Sequence, residues 1–186
     1  TNVVMQKRDF SCGAAALATV IQFYWGDQVT EQQILRQFDT ILTPDEVRDR
    51  IENGLTLTDL RKVSVKMGYL ATIGTVRFDQ LVKSKVPLIV GLSDGEFKHF
   101  VVFRGAYGDY VYLADSARGN IRVPVNEFVR QWQKNAVLVV AKPKEEPKTS
   151  SPLTVRADEV YQGHLNRVEV QKQLSRSVVR TPLRQP

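Results

Sequence analysis

The sequence predicts an α+β fold, with N-terminal helices packed on a mostly antiparallel sheet and a C-terminal extension beyond it. Three observations carry this. Apolar residues recur at helical spacing from Cys12 to Met67, the period turns strand-like after Gly68, and the composition breaks abruptly at Lys142. Helices gathered first and strands second are the signature of segregated α and β layers. The chain therefore divides into a folded domain over 1–141, a Pro- and charge-rich linker over 142–152, and a basic tail over 153–186, partly helical or flexible.

Residues 1–6 read as an extended lead-in. The first helix opens at Cys12, with Ser11 as its N-cap, whose hydroxyl is expected to accept a bond from a free N–H of the first turn. Ala14, Leu17, Ala18, Ile21 and Trp25 follow at helical spacing, and Val20, Phe23 and Tyr24 fill the other faces. A helix apolar nearly all round belongs inside a core. It stops at Gly26-Asp27. Thr30-Glu31-Gln32-Gln33 fits a capping box opening a helix through Phe38. Thr43-Pro44-Asp45-Glu46 starts another, with Pro in the first turn and acids at the positive end, running to Gly54. A third begins near Thr56 or Thr58 and ends at Gly68. Strands follow at Tyr69–Ile73, Pro87–Leu92, Lys98–Arg104, Tyr110–Ala114, Ile121–Val123 and Ala136–Val140, with a helical turn at Asp79–Lys83 and a helix from Val125 to Trp132.

With 42% hydrophobic and 25% charged residues among 186, the chain has the composition of a globular domain. No run of about eighteen apolar residues predicts a membrane span. The net charge of +6 is uneven: residues 1–141 carry 17 Lys/Arg against 15 Asp/Glu, and residues 142–186 carry 9 against 5. The folded part has no basic stripe with interleaved aromatics, so nucleic acid is not an expected partner. A single cysteine rules out an internal disulfide framework and a cysteine-based zinc site, and leaves the compartment open. The chain opens at Thr1 without a charged start and apolar run, so a signal peptide is expected to have been removed or never present.

The chemistry concentrates in four residues. Cys12 at the start of a helix meets unpaired N–H groups and the positive dipole end, which favour a thiolate. A structural cysteine at a helix end fits that position equally well. His99 lies in a strand, and a hairpin centred on Tyr107 would pair Gly105 with Asp109, Phe103 with Val111, Val101 with Leu113 and His99 with Asp115. Directly opposed side chains are about 4.5–5.5 Å apart at Cβ. An imidazole held by a carboxylate is what a cysteine nucleophile requires. Gln6 would offer a side-chain amide to the oxyanion beside the backbone N–H of Cys12. Each has a plainer reading: His99 as a satisfied core histidine, Asp115 as a turn-former, Gln6 as a surface residue. Taken in the order Gln, Cys, His, Asp they point to catalysis, and this chemistry calls for no cofactor and no metal.

The motifs resemble those of the C39 family of papain-like cysteine peptidases, known for removing double-glycine leaders from bacteriocin precursors. Gln6 and Cys12 match its oxyanion glutamine and nucleophile, and His99-Phe100-Val101-Val102-Phe103 matches its histidine strand. Leu113-Ala114-Asp115-Ser116-Ala117-Arg118-Gly119 matches its aspartate motif, and Phe128 and Trp132 are similar to the aromatic pair that follows. The resemblance spans residues 3 to about 141 and implies a papain-like fold. Ser11 departs from the Asp that often precedes the nucleophile in transporter-fused members; Asp-Phe-Ser-Cys-Gly is similar to stand-alone ones, some tied to functional-amyloid secretion. This implies a cysteine endopeptidase acting on a secreted polypeptide after small residues, Gly-Gly in type, with secretion machinery as partner. It also implies a periplasmic location, the cytoplasm being the alternative. The competing expectation is a catalytically silent escort module of a secretion system. The tail has two readings, a flexible extension or an arm that docks on a second copy to make a homodimer; His164 within it is read as neither ligand nor base.

Overall fold

In a computed structural model, the described residues are 2–7, 11–95 and 97–161. Residues 1–154 form one compact unit, and the described residues from 155 to 161 belong to a second.

The helices begin where their caps dictate. α1 (Cys12–Val20) is buried along its whole length and packs on the sheet. α2 (Glu31–Phe38), α3 (Pro44–Asn53) and α4 (Leu57–Lys66) each open on a threonine capping box, closed by Gln33, Glu46 and Asp59 respectively. Two short helices, α5 (Phe78–Leu81) and α6 (Val125–Gln131), complete the set. The strands are β1 (Leu70–Thr75), β2 (Leu88–Asp94), β3 (Phe97–Tyr107), β4 (Tyr110–Asp115), β5 (Gly119–Pro124) and β6 (Trp132–Ala141). They form one sheet in the order β1-β6-β2-β3-β4-β5, every neighbouring pair antiparallel.

Strand alternation gives the sheet two apolar faces. Ile89, Val102, Ala114 and Leu138 join Leu17, Ile21, Ile34 and Leu60 in the core beneath the N-terminal helices. Leu88, Val90, Val101, Phe103 and Leu113 meet Leu81, Phe128 and Trp132 in a second core on the α5–α6 side. The sheet is thus sandwiched, and its central strands are continuously apolar for that reason.

Three local features differ from the sequence expectation. The first helix does not run as α-helix to Trp25: Ile21–Trp25 is a π-helical turn, in which Gly26 and Asp27 both donate to Ile21 O, at 3.0 and 3.2 Å. The extra residue in the turn aims the Trp25 indole at Val140 O (3.0 Å) and the Tyr24 hydroxyl at the Lys148 backbone N–H (2.8 Å). The β3–β4 hairpin turns on Gly108-Asp109 between paired Tyr107 and Tyr110, not on Tyr107, and a bulge at Arg104 interrupts the ladder between Phe103 and Gly105. β6 detours between Trp132 and Val137, where Lys134 and Asn135 both adopt the left-handed region at φ 51°.

The 142–152 stretch has a linker's composition but is bound along the first unit. Lys142 Nζ reaches Asp27 at 2.8 Å, Lys148 Nζ donates to Trp25 O at 2.9 Å, and Leu153 is buried in the main core. The bulged Arg104 holds the end of this strap, donating through Nε to Leu153 O at 2.9 Å. Asn2 bonds Pro152 O, so the strap also meets the N-terminal lead-in. In the second unit a short helix covers 157–161, where Arg156 pairs with Asp158. The dimer arm and His164 lie mostly or wholly at 162–186, outside the described residues. Among the described residues no helix is long and apolar enough to cross a membrane.

Candidate active site

The site is assembled where the start of α1 meets β3 and the loop after β4. Cys12 is the first residue of α1 and is 5% exposed. Ser11 stands at the N-cap but, contrary to expectation, its hydroxyl makes no cap bond. It donates instead to the buried Glu31 carboxylate at the start of α2, which also accepts the Lys7 N–H at 3.1 Å. Glu31 therefore joins the chain entering α1 to the next helix.

His99 and Asp115 meet, though not by the expected register. Asp115 pairs with Val101, not His99, so the two side chains are diagonal neighbours on one sheet face. An offset of two residues preserves the face, and the diagonal is within reach of a long side chain. His99 Nε2 lies 2.8 Å from Asp115 Oδ1, both side chains buried. The imidazole is also hydrogen-bonded to Cys12. With Nε2 on the carboxylate, Nδ1 is the nitrogen left to face the sulfur.

Asp115 is fully buried and heavily satisfied. Besides His99 it accepts the Ala117 N–H at 2.8 Å, the Arg118 N–H at 3.2 Å and Arg118 Nε at 2.8 Å. Its two readings hold together: it forms the turn and orients the ring. Burial works against its charge, but His99, the Ala117 N–H and Arg118 outweigh that and hold it well below the usual carboxylate range. Burial likewise opposes charge on His99. Its bonds to Asp115 and Cys12 prevail, and its pKa is pushed up from 6.5 to about 9, so the ring holds its proton at neutral pH.

Gln6 comes to the same loop. Its backbone N–H donates to Ser116 O at 2.9 Å, and its Oε1 accepts from Ser116 Oγ at 2.7 Å. The structure thus brings Cys12, His99 and Asp115 into one chain of contacts and fastens Gln6 to the residue after Asp115.

Space for a ligand opens on both sides of His99. One cleft of about 350 Å³ is lined by Cys12, His99, Phe100, Gly91, Gln133 and Lys134. Another of about 340 Å³ lies between His99, Arg118, Glu127 and Gln131. A groove of about 490 Å³ between α2 and α3 shares Arg50 and Leu55 with the first. Asp59 fixes Arg50 there, accepting its Nε at 2.6 Å. Among the described residues no group of three or more His, Cys, Asp or Glu is placed to hold a metal ion.

Sequence reasoning passed over Arg118, Ser116 and Gln133. An arginine three residues after a candidate aspartate in a turn was the available signal for the first. The β6 detour that brings Gln133 to the cleft, where its Nε2 donates to Leu92 O at 3.0 Å, has no marker in the sequence.

A buried cysteine, histidine and aspartate thus meet on an α+β scaffold. Residues 1–145 match the peptidase C39 family, and the chain belongs to it. Among curated relatives it is similar to the probable functional amyloid protease FapD of Pseudomonas aeruginosa, 36% identical over 131 residues, or 70% of this chain and 57% of that protein. The chain thus spans little more than half the length of that relative. It is also similar to LagD of Lactococcus lactis, a lactococcin-G-processing and transport ATP-binding protein, with 27% identity over 80% of this chain and 20% of that one. Among solved structures it resembles a double-glycine-motif protease from an AMS/PCAT transporter in complex with its leader peptide. There the TM-score is 0.55 and the identity 26%, over 75% of this chain and 90% of that one. The peptidase domain of Streptococcus ComA, at TM-score 0.62 and 18% identity over 75% and 97%, shares the fold.

Proposed function

We propose that this chain is a cysteine endopeptidase that cleaves a secreted bacterial polypeptide after small residues, Gly-Gly in type, during export or amyloid assembly in the periplasm. The observation that carries the reading is the contact chain from Cys12 through His99 to Asp115. In this scheme His99 holds the proton of Cys12, and the sulfur attacks the scissile carbonyl. The Gln6 amide and the Cys12 N–H stabilise the oxyanion. His99 passes its proton to the leaving amine as the C–N bond breaks, leaving a thioester. It then takes a proton from water, which attacks the thioester and returns the thiol.

The preference for small residues is supported by the likeness to a double-glycine-motif protease. Gly91 lines the cleft with Cys12, and a Cβ there would stand 3.2 Å from Gln133 Oε1 and 3.4 Å from Phe100 Cε1. The adjoining groove between α2 and α3 offers Leu35, Leu42, Val47 and Ile51 to the residues preceding the cut, and a related protease was solved with its leader peptide bound. Secretion machinery as partner is supported by the transporter-linked relatives.

The test is cleavage of fluorogenic peptides differing only in the two residues before the scissile bond. Gly-Gly peptides should be cut, leucine-containing ones spared, and Cys12→Ala should be inactive. A wild type that binds such peptides and leaves them intact would favour the escort role.

A further inference from the structure

The proposed mechanism leaves Ser116 without a role, yet Ser116 fastens both the backbone and the side chain of Gln6. Ser116 is 2% exposed and directly follows Asp115. Its carbonyl accepts the Gln6 N–H at 2.9 Å, and its hydroxyl donates to Gln6 Oε1 at 2.7 Å. A glutamine side chain has rotamer freedom to lose, and its amide can present either end. The hydroxyl settles both: Oε1 is held at Ser116, and the NH₂ end is turned the other way.

The setting makes this anchor matter. Among its described residues, 2–7, the lead-in that carries Gln6 contains no helix or strand, and it is held by burial of Val3 in the main core and by individual bonds. The Val4 N–H donates to Thr19 Oγ1 at 3.0 Å and the Lys7 N–H to Glu31 Oε1 at 3.1 Å, and both hold main chain alone.

We propose that Ser116 is a positioning residue of the peptidase: its buried hydroxyl aligns the Gln6 amide as oxyanion donor and locks that donor to the loop that presents Asp115. Carboxylate and oxyanion donor are then spaced by adjacent residues of one turn, and neither can drift relative to the other. The inference rests on the oxyanion role proposed for Gln6.

The experiment is a double-mutant cycle of Gln6→Ala and Ser116→Ala on the full chain, with Ser116→Thr as the variant that keeps the donor. Each protein is assayed for kcat and KM on a Gly-Gly coumarin-amide peptide, and for the rate at which iodoacetamide alkylates Cys12. Alkylation needs the thiol–imidazole pair but forms no oxyanion. Ser116→Ala should lower kcat about tenfold while KM and the alkylation rate stay within about twofold of wild type. In the Gln6→Ala background the same change should cost less than about twofold, because the group it positions is gone. Ser116→Thr should recover most of the loss.

Wild-type turnover in Ser116→Ala would overturn the proposal, as would an equal loss in both backgrounds. A parallel fall in alkylation would place Ser116 in the support of the Cys12–His99 pair instead, and would also overturn it. A wild type that alkylates readily but cleaves no Gly-Gly peptide would overturn the peptidase reading itself.

Discussion

The coupling of His99 to Asp115 makes a prediction about stability that needs no substrate. The perturbation is Asp115→Asn, read as a pH slope. His99 titrates near 6.5 in an unfolded chain and at about 9 in the fold. A raised folded pKa means the pair stabilises the fold fully below pH 6.5, and the contribution is lost as pH rises through 9. The interval corresponds to roughly 3 kcal/mol, with no large discount for solvent because the two side chains are 6% and 0% exposed. Asp115 has the opposite sign. Its lowered pKa gives stability present above the unfolded carboxylate value and lost only on acidification, so it is constant across this window. Urea unfolding followed by the fluorescence of Trp25 and Trp132, at steps from pH 6 to 9.5, is read in a Cys12→Ala background, so that no thiol proton is shared with His99; the protein with Asp115 intact should lose stability over the window, by up to roughly 3 kcal/mol. In Asp115→Asn on the same background the loss should shrink to about 1 kcal/mol or less, whatever the overall offset from disturbing the Ala117 and Arg118 bonds. Identical slopes for the two proteins would refute a share of the raised His99 value coming from Asp115, and so would a gain in stability over the window with Asp115 intact.

Three further outcomes follow from named contacts. Arg118→Met should cost less than about 1 kcal/mol near neutral pH, because its side chain is 59% exposed. It removes a group that lowers the Asp115 pKa, so acid unfolding followed by circular dichroism should begin at a higher pH than in wild type. Leu153→Ala should destabilise the unit by about 2–5 kcal/mol in chemical denaturation, since the side chain is 2% exposed in the main core; an unchanged midpoint would show that the strap is not part of the folded unit. Gly91→Val should lower kcat/KM for Gly-Gly peptides by about tenfold or more while leaving iodoacetamide alkylation of Cys12 near wild type. Equal losses in both assays would mean that the change distorts the Cys12–His99 pair instead of filling the cleft.

Helix starts were legible because capping is local: the threonines at 30, 43 and 56 act within four residues, and all three boxes form. The contact between His99 and Asp115 was legible for a different reason. Side-chain direction alternates along a strand, so an error of two in register leaves both residues on one face, whereas an error of one would have separated them. The register itself was not legible, because a bulge at Arg104 shifts the ladder, and the partner of that arginine, the Leu153 carbonyl, lies nearly fifty residues away. The Ser11 hydroxyl went to Glu31 for a similar reason. A buried carboxylate twenty residues on competes better for it than the neighbouring N–H groups. Leu153 could not be marked as core from within a Pro- and charge-rich stretch, since its pocket is built by other parts of the chain.

The way the strap meets the lead-in carries a consequence for the order in which the molecule forms. His99 and Asp115 are 16 residues apart and join within one hairpin, an early and inexpensive closure. Gln6 finds Ser116 across 110 residues, and Asn2 finds Pro152 across 150. Such closures gain their contacts only once the intervening sheet exists, and their entropy cost grows with the loop they close. The imidazole–carboxylate pair therefore precedes the glutamine clasp during folding. Cys12 must itself cross 87 residues to reach His99, so competence to react with a thiol reagent waits, like competence to turn over a peptide, for the N-terminal residues to dock on the assembled sheet.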